Sequence, residues 1–233
     1  LEKQTTKLAL LDATGQYQIH SLAPELAKTL KANGLLLLYN LVESTMRNAI
    51  EAIFEEFKNK SISFDQLKPE IKLIVLQNLK NRSPKKIYLT INQLSTEIKM
   101  IVLQNLKNRS PEKIHLQINQ ISTDIIIATF DGKKLFSGNV DARLIKEIAE
   151  KYGFSYQTDF AKTKNGQNLV VIKSNRNDLA HGIKSFEEVG GYQAIEEVLE
   201  MKEEVVEYLT QILENIRDYL ENEEYLELPT GNP

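Results

Sequence analysis

The chain has 233 residues, 42% of them hydrophobic and 26% charged, with a formal net charge of −3, a balance ordinary for a soluble globular protein and not for a disordered one. It contains no cysteine, which excludes disulfides, thiolate metal sites and a cysteine nucleophile and fits a reducing cytoplasm, the compartment expected. Its three histidines, at 20, 115 and 181, lack zinc-site spacing, so no metal or cofactor is expected, and no apolar run approaches the roughly 20 residues of a membrane-spanning helix.

The first residue is Leu1, which leaves an upstream segment, including a cleaved targeting peptide, open. The near-neutral total hides an asymmetry. Residues 58–113 carry twelve Lys or Arg against four acids, whereas 187–227 carry fourteen acids against Lys202 and Arg217. Either the basic middle faces a polyanion, or both stretches are solvated helix faces.

After a poorly patterned start, Ser21 and Pro24 mark a helix entry, since proline is tolerated in a first helical turn. The pattern stays helical to about Lys58. Leu35, Leu38, Val42, Ala49 and Ile53 fall on one side, with Tyr39, Met46, Ile50 and Phe57 flanking them, and Gly34 is a potential kink. The opposite side presents Asn40, Glu43, Arg47 and Glu51, either a solvated stripe of helical ion pairs or the lining of a site.

From Glu70 the chain repeats itself, residues 70–96 and 97–123 matching at 22 of 27 positions. Each copy has a helical run (Ile71, Ile74, Val75 and Ile98, Ile101, Val102) followed by a Ser-Pro helix start at Ser83 and Ser110. Two short helices per copy are expected, forming an arm on the main bundle because two copies are too few for a self-supporting solenoid. His115 aligns with Tyr88 of the first copy, which favours a structural ring over a functional imidazole.

Residues 125–130 read as a short extended piece or turn. Asn139 or Asp141 then caps a helix that ends at Gly153, and the polar stretch 155–166 reads as a loop. A helix starts near Gln167, a loop containing Gly190-Gly191 follows, and a last amphipathic helix runs from about Gln193 to Glu223.

The chemistry concentrates in residues 174–182, Ser-Asn-Arg-Asn-Asp-Leu-Ala-His-Gly. Leu169, Ile172, Leu179, Ala180 and Ile183 form one helical stripe on which Arg176 also falls. A guanidinium there needs a partner, because burying it unpaired is too costly. It either pairs internally with Glu43 or Asp178, or faces a cleft or subunit interface that binds phosphate. His181 sits about 140° around the helix from Arg176. In RNA cleavage such an imidazole activates the ribose 2′-hydroxyl or protonates the leaving 5′-oxygen, while the arginine holds the phosphate. One histidine per chain does not easily serve as both acid and base, so a homodimer bringing two sites together would complete the set. Asn177 and Asp178 are placed to orient these groups.

Arg176-Asn177-Asp178-Leu179-Ala180-His181-Gly182 resembles the Arg-polar-x3-His motif of the HEPN superfamily, all-helical domains that include many prokaryotic ribonuclease toxins and antiviral nucleases. Leu38–Glu43, Ser137–Ala142 and Ser185–Gly190 resemble the MAE-type HEPN-like nucleases, so the likeness covers most of residues 20–227 apart from one repeat copy. The resemblance implies an all-α HEPN-type bundle spanning residues 1–233 as one domain, with the duplicated helical hairpin as an insertion. It implies a metal-independent endoribonuclease of a toxin–antitoxin or phage-defence setting, with Arg176 and His181 as the catalytic pair in a composite homodimeric site. RNA is then the substrate and a cognate antitoxin a possible partner. A non-catalytic RNA- or nucleotide-binding module is the alternative. His181 is followed by Gly182-Ile183 and not by the x-Tyr ending of HEPN toxins whose antitoxin modifies that tyrosine, which puts that mode of control in doubt.

Overall fold

A computed structural model describes residues 7–11, 17–21, 23–80 and 138–227, together with residues 123, 126, 127, 130, 135 and 136. The expected all-α class holds. The helices are α1 (Pro24–Asn59), α2 (Pro69–Lys80), α3 (Ala142–Tyr152), α4 (Phe160–Thr163), α5 (Asn168–Ala180), α6 (Phe186–Gly191) and α7 (Ile195–Glu221). To these the structure adds an antiparallel hairpin of β1 (Lys7–Leu11) and β2 (Tyr17–Ser21), in register from Lys7 opposite Ser21 to Leu11 opposite Tyr17. Ser21 therefore ends a strand, and the helix begins at Pro24, where its missing N–H costs no hydrogen bond.

The chain divides into two compact units. The first comprises residues 1–45, 138–144 and 157–211; the second comprises 46–137, 145–156 and 212–233. Helices α1 and α7 each contribute to both.

The second unit is built on rings. Phe57 lies 4.9 Å from Tyr225 and Phe54 lies 4.6 Å from Phe130, with Tyr152 and Tyr219 edge-on to Phe54 and Tyr225 respectively. The Tyr219 hydroxyl donates to the Tyr152 carbonyl at 2.8 Å, so a buried phenol is satisfied while its ring packs. Burial pushes the Tyr152 phenol well above its ordinary value. Ile71, Ile74 and Val75 of α2 are buried, as their spacing predicts. The Thr123 hydroxyl donates to the Ile62 carbonyl at 2.7 Å. Ile126 and Ile127 are helical, where a short extended piece or turn was expected over 125–130. The Ser-Pro starts at 83 and 110, Tyr88, His115, the second copy's helical run and hence the arm lie outside the described residues.

In the first unit the apolar face of α1, Leu35, Leu38, Tyr39 and Val42, is buried with Leu169 and Ile172 of α5 and Val198, Val205, Tyr208 and Leu209 of α7. Gly34 does not interrupt α1. It faces α7, where a Cβ would lie in ordinary contact, 3.6 Å from Val198 Cγ1. The stretch 155–166 is not a plain loop: Asp159 caps α4 by accepting from the Ala161 amide at 2.9 Å, and a 3-10 turn follows over Lys164–Gly166. Gly190 and Gly191 also sit in a helix, α6, opened by a capping box of Ser185 and Glu188. A side chain at 190 would collide with α1, its Cβ falling 1.8 Å from the Lys28 carbonyl oxygen. That contact explains a glycine inside a helix, where propensity disfavours it.

Candidate functional site

Helix α5 carries the motif, and its polar face is stitched to the segment Gly138–Asp141 by three side chains spaced three and four apart. Lys173 pairs with Asp141. Arg176 lies against Gly138. Asn177 Nδ2 donates to Asn139 Oδ1 at 3.1 Å. Such spacing puts all three on one side of the helix, so a single short segment meets them all.

Asp141 does two jobs. Its Oδ1 accepts from the Leu144 amide at 3.0 Å, capping α3, and its Oδ2 takes the Lys173 ammonium. Burial pulls its carboxyl upward, but the Lys173 ammonium and the Leu144 amide outweigh that and hold it below the usual carboxylate range. Sequence left the cap between Asn139 and Asp141; Asp141 makes it.

Arg176 is half-buried and held differently. Its Cζ lies 4.9 Å from the centroid of the Tyr39 ring, and its Nη1 donates to Asn177 Oδ1 at 3.0 Å. Gly138 has φ +78°, a left-handed conformation that favours glycine. A Cβ there would lie 3.0 Å from both terminal guanidinium nitrogens. Among the described residues the guanidinium has no carboxylate in salt-bridge range. Internal pairing with Asp178 is thus not what the chain adopts: Asp178 Oδ2 sits 2.7 Å from Lys184 Nζ. Glu43 instead takes the Tyr39 hydroxyl, which also accepts from the Val140 amide at 3.2 Å. Burial, opposed by that amide and reinforced by Glu43, keeps the phenol's pKa above its ordinary value, so the ring under Arg176 is neutral.

His181 ends α5. Its amide donates to the Asn177 carbonyl at 3.0 Å, and the next two residues close the helix, with Gly182 N donating to Leu179 O at 3.2 Å and Ile183 N donating to Asp178 O at 2.8 Å. These are the two bonds of a Schellman ending, which needs a left-handed residue after the cap, and Gly182 supplies it at φ +65°. The imidazole is exposed and, among the described residues, makes no hydrogen bond or ion pair. Leu169 and Ile172 are buried as the stripe predicts, but Ala180 and Ile183 are not, Ile183 being 67% exposed. For Ile183 the reason is the Schellman turn, whose left-handed residue, Gly182, takes the chain off the helical course just before it.

Of the five residues singled out from sequence, the structure therefore joins Arg176 to Asn177 directly and to Glu43 through Tyr39. Asp178 faces Lys184, and His181 stands at the helix end. Tyr39, Gly138, Asn139, Asp141 and Lys173 were not singled out as site residues. Four of them lie in the stretches 38–43 and 137–142 that carry the family resemblance. Lys173 was readable from its position one turn before Arg176.

Among the described residues no group of three or more His, Asp or Glu is placed to hold a metal, and no helix is long and apolar enough to cross a membrane. A family model described as HEPN_MAE_28990-like HEPN matches residues 2–88 and 85–225. Neither the curated proteins nor the solved structures compared with the chain contain a match. The chain belongs to the MAE_28990-like HEPN family, membership that suggests a nuclease or RNA-binding role.

Proposed function

We propose that the chain is a metal-independent endoribonuclease of a toxin–antitoxin or phage-defence system, acting in the cytoplasm as a homodimer with a composite site. One observation carries the reading. Arg176 is fixed in place with its charge left un-neutralised by any described carboxylate, five residues before an exposed imidazole. A positioned, uncompensated guanidinium suits a phosphate, whose oxygens it can fork.

In the reaction the ribose 2′-oxygen attacks phosphorus and the bond from phosphorus to the 5′-oxygen breaks, leaving a 2′,3′-cyclic phosphate and a 5′-hydroxyl. The 2′-hydroxyl proton passes to one imidazole, and the 5′-oxygen takes a proton from the other chain's His181. Arg176 offsets the charge that builds on the non-bridging oxygens. A cognate antitoxin protein would restrain this activity.

A binding-only module is the second reading, favoured by the absence, among the described residues, of any group that orients the His181 imidazole. Incubating the purified protein with single-stranded RNA separates the two. Fragments that vanish in His181→Ala support the nuclease; intact RNA with a salt-sensitive gel shift sinks it in favour of binding alone.

A further inference from the structure

Helix α5 presents two cations one turn apart, and the chain treats them in opposite ways. Lys173 meets a carboxylate that is almost wholly buried, Asp141 being 6% exposed. Arg176 meets a neutral ring, a neutral amide oxygen and the bare backbone of a glycine. A carboxylate holds a cation by cancelling its charge. A ring face attracts a cation through its quadrupole while leaving the net charge intact. The second device fixes direction without consuming what a phosphate would bind.

We propose that Tyr39 and Gly138 are positioning residues that clamp the Arg176 guanidinium by neutral contacts, so that its full charge and its remaining N–H groups are presented to an RNA phosphate. The inference rests on the phosphate-holding role of Arg176 proposed above. Three features support it.

Tyr39 is 1% exposed, so its ring acts through Arg176 and not by touching a ligand. Its orientation is locked at the hydroxyl, which bridges the Val140 amide and Glu43. The Val140 bond ties the ring to the same segment that carries Gly138, so one short stretch fixes both the plate beneath the guanidinium and the backbone beside it.

Gly138 is required on two separate grounds. Its φ of +78° is strained for any side chain, and a Cβ would press on both terminal nitrogens at 3.0 Å and on Cζ at 3.3 Å. A contact of 3.0 Å is tighter than a methyl group and a nitrogen ordinarily make, so the guanidinium would have to shift by a few tenths of an ångström from its place over the Tyr39 ring. Asn177 completes the clamp with an acceptor that is uncharged.

The test is a mutant cycle on RNA binding in the full-length protein, with His181→Ala as the parent so that cleavage does not interfere. The probe is a short single-stranded RNA, and Kd is measured at fixed salt. Adding Arg176→Ala is expected to weaken binding about tenfold or more, in line with the loss of a charge-assisted contact. Unchanged affinity at that step overturns the reading of Arg176 as a phosphate holder, and the positioning inference with it.

Adding Tyr39→Leu or Gly138→Ala to the parent is expected to weaken binding by a similar factor. Adding either one to the Arg176→Ala protein is expected to change nothing further, because residues that act through one group are not additive. Tyr39→Phe, which keeps the ring but loses the two bonds of the hydroxyl, is expected to bind more tightly than Tyr39→Leu. Two independent variants guard against loss of fold in one, and thermal melting of each confirms that the protein compared is folded. An Arg176 effect accompanied by unchanged binding in folded Tyr39→Leu and Gly138→Ala overturns the inference alone. So does an additive loss in the Arg176→Ala background.

Discussion

The two ends of the motif are built to different specifications. At the Arg176 end, a half-buried guanidinium is enclosed by Tyr39, Gly138 and Asn177, on a helix face that Lys173 and Asp141 anchor one turn earlier. At the His181 end there is a backbone cap, a glycine in the left-handed region and an exposed ring with no described side-chain partner. The difference fits the two roles proposed, a group that holds a phosphate being surrounded and a group that exchanges protons with substrate or with a second imidazole being left open. In the proposed reaction Arg176 must be in position before substrate arrives, and His181 becomes oriented only when the composite site forms.

The largest expected effect comes from removing the enclosed end. Arg176→Ala should lower RNA cleavage by about 10²-fold or more, the scale of losing a preorganised electrostatic contact, with the far-ultraviolet circular dichroism of the helices unchanged. Cleavage within a few-fold of wild type would mean that the enclosure serves the fold alone.

Next comes a substitution that makes Arg176 resemble Lys173. Asn177→Asp replaces the neutral acceptor by a carboxylate, neutralising the guanidinium where it stands. RNA affinity is expected to fall about tenfold, and the melting temperature is expected to change little, the new ion pair offsetting the lost bond from Asn177 Nδ2 to Asn139 Oδ1. Tighter binding in that variant would contradict the role given to the free charge.

A stability effect follows from the anchor. Lys173→Met strands the Asp141 carboxylate with its amide bond alone, costing about 1–3 kcal/mol, read by urea unfolding at neutral pH. The same pair sets a pH dependence. Asp141 is held below its ordinary carboxyl range, so the stability it contributes is complete above that range, near pH 4, and is lost as pH falls through its lower folded value. The Lys173→Met protein should therefore lose less stability on acidification below about pH 4 than wild type does. Parallel acid-unfolding curves would show that the pair contributes nothing.

The smallest effect belongs to the open end. Gly182→Ala forces a side chain into the left-handed region at φ +65°, a cost of about 1 kcal/mol, and it loosens the turn that presents His181. A drop in cleavage larger than the change in stability accounts for would show that the helix ending also aims the imidazole.

The sequence made the long helices legible because their apolar spacing is strong: α1 and α7 begin and end, and α5 begins, within about two residues of the positions read from periodicity and caps. It hid three features, each for a physical reason. The hairpin of β1 and β2 is held by ladder hydrogen bonds between backbones, and Lys-Leu-Ala-Leu-Leu does not alternate. Helices α4 and α6 are four and six residues long, too short for a periodic signal and readable only from the caps at Asp159 and Ser185. Gly190 misleads because a glycine that ends structure and one that admits a neighbouring backbone look alike until Lys28 is seen against it.

At the candidate site, Arg176 and His181 stood out by residue type, and the need of a half-buried guanidinium for a partner followed from helical phase. What supplies the partner did not. Tyr39 reads as core, which it is, and its second role beneath Arg176 depends on a contact 137 positions along the chain. Gly138 reads as a turn residue. Only the packing shows that the guanidinium lies tight against the place its side chain would take.

The central claim, that Arg176 and His181 together cleave RNA, is tested most directly by mapping the ends of RNA exposed to purified wild-type protein, Arg176→Ala and His181→Ala. The account predicts new 5′-hydroxyl ends paired with 2′,3′-cyclic phosphates in the wild-type sample alone. The same ends at the same yield in either variant, or no new ends with wild type, would contradict it.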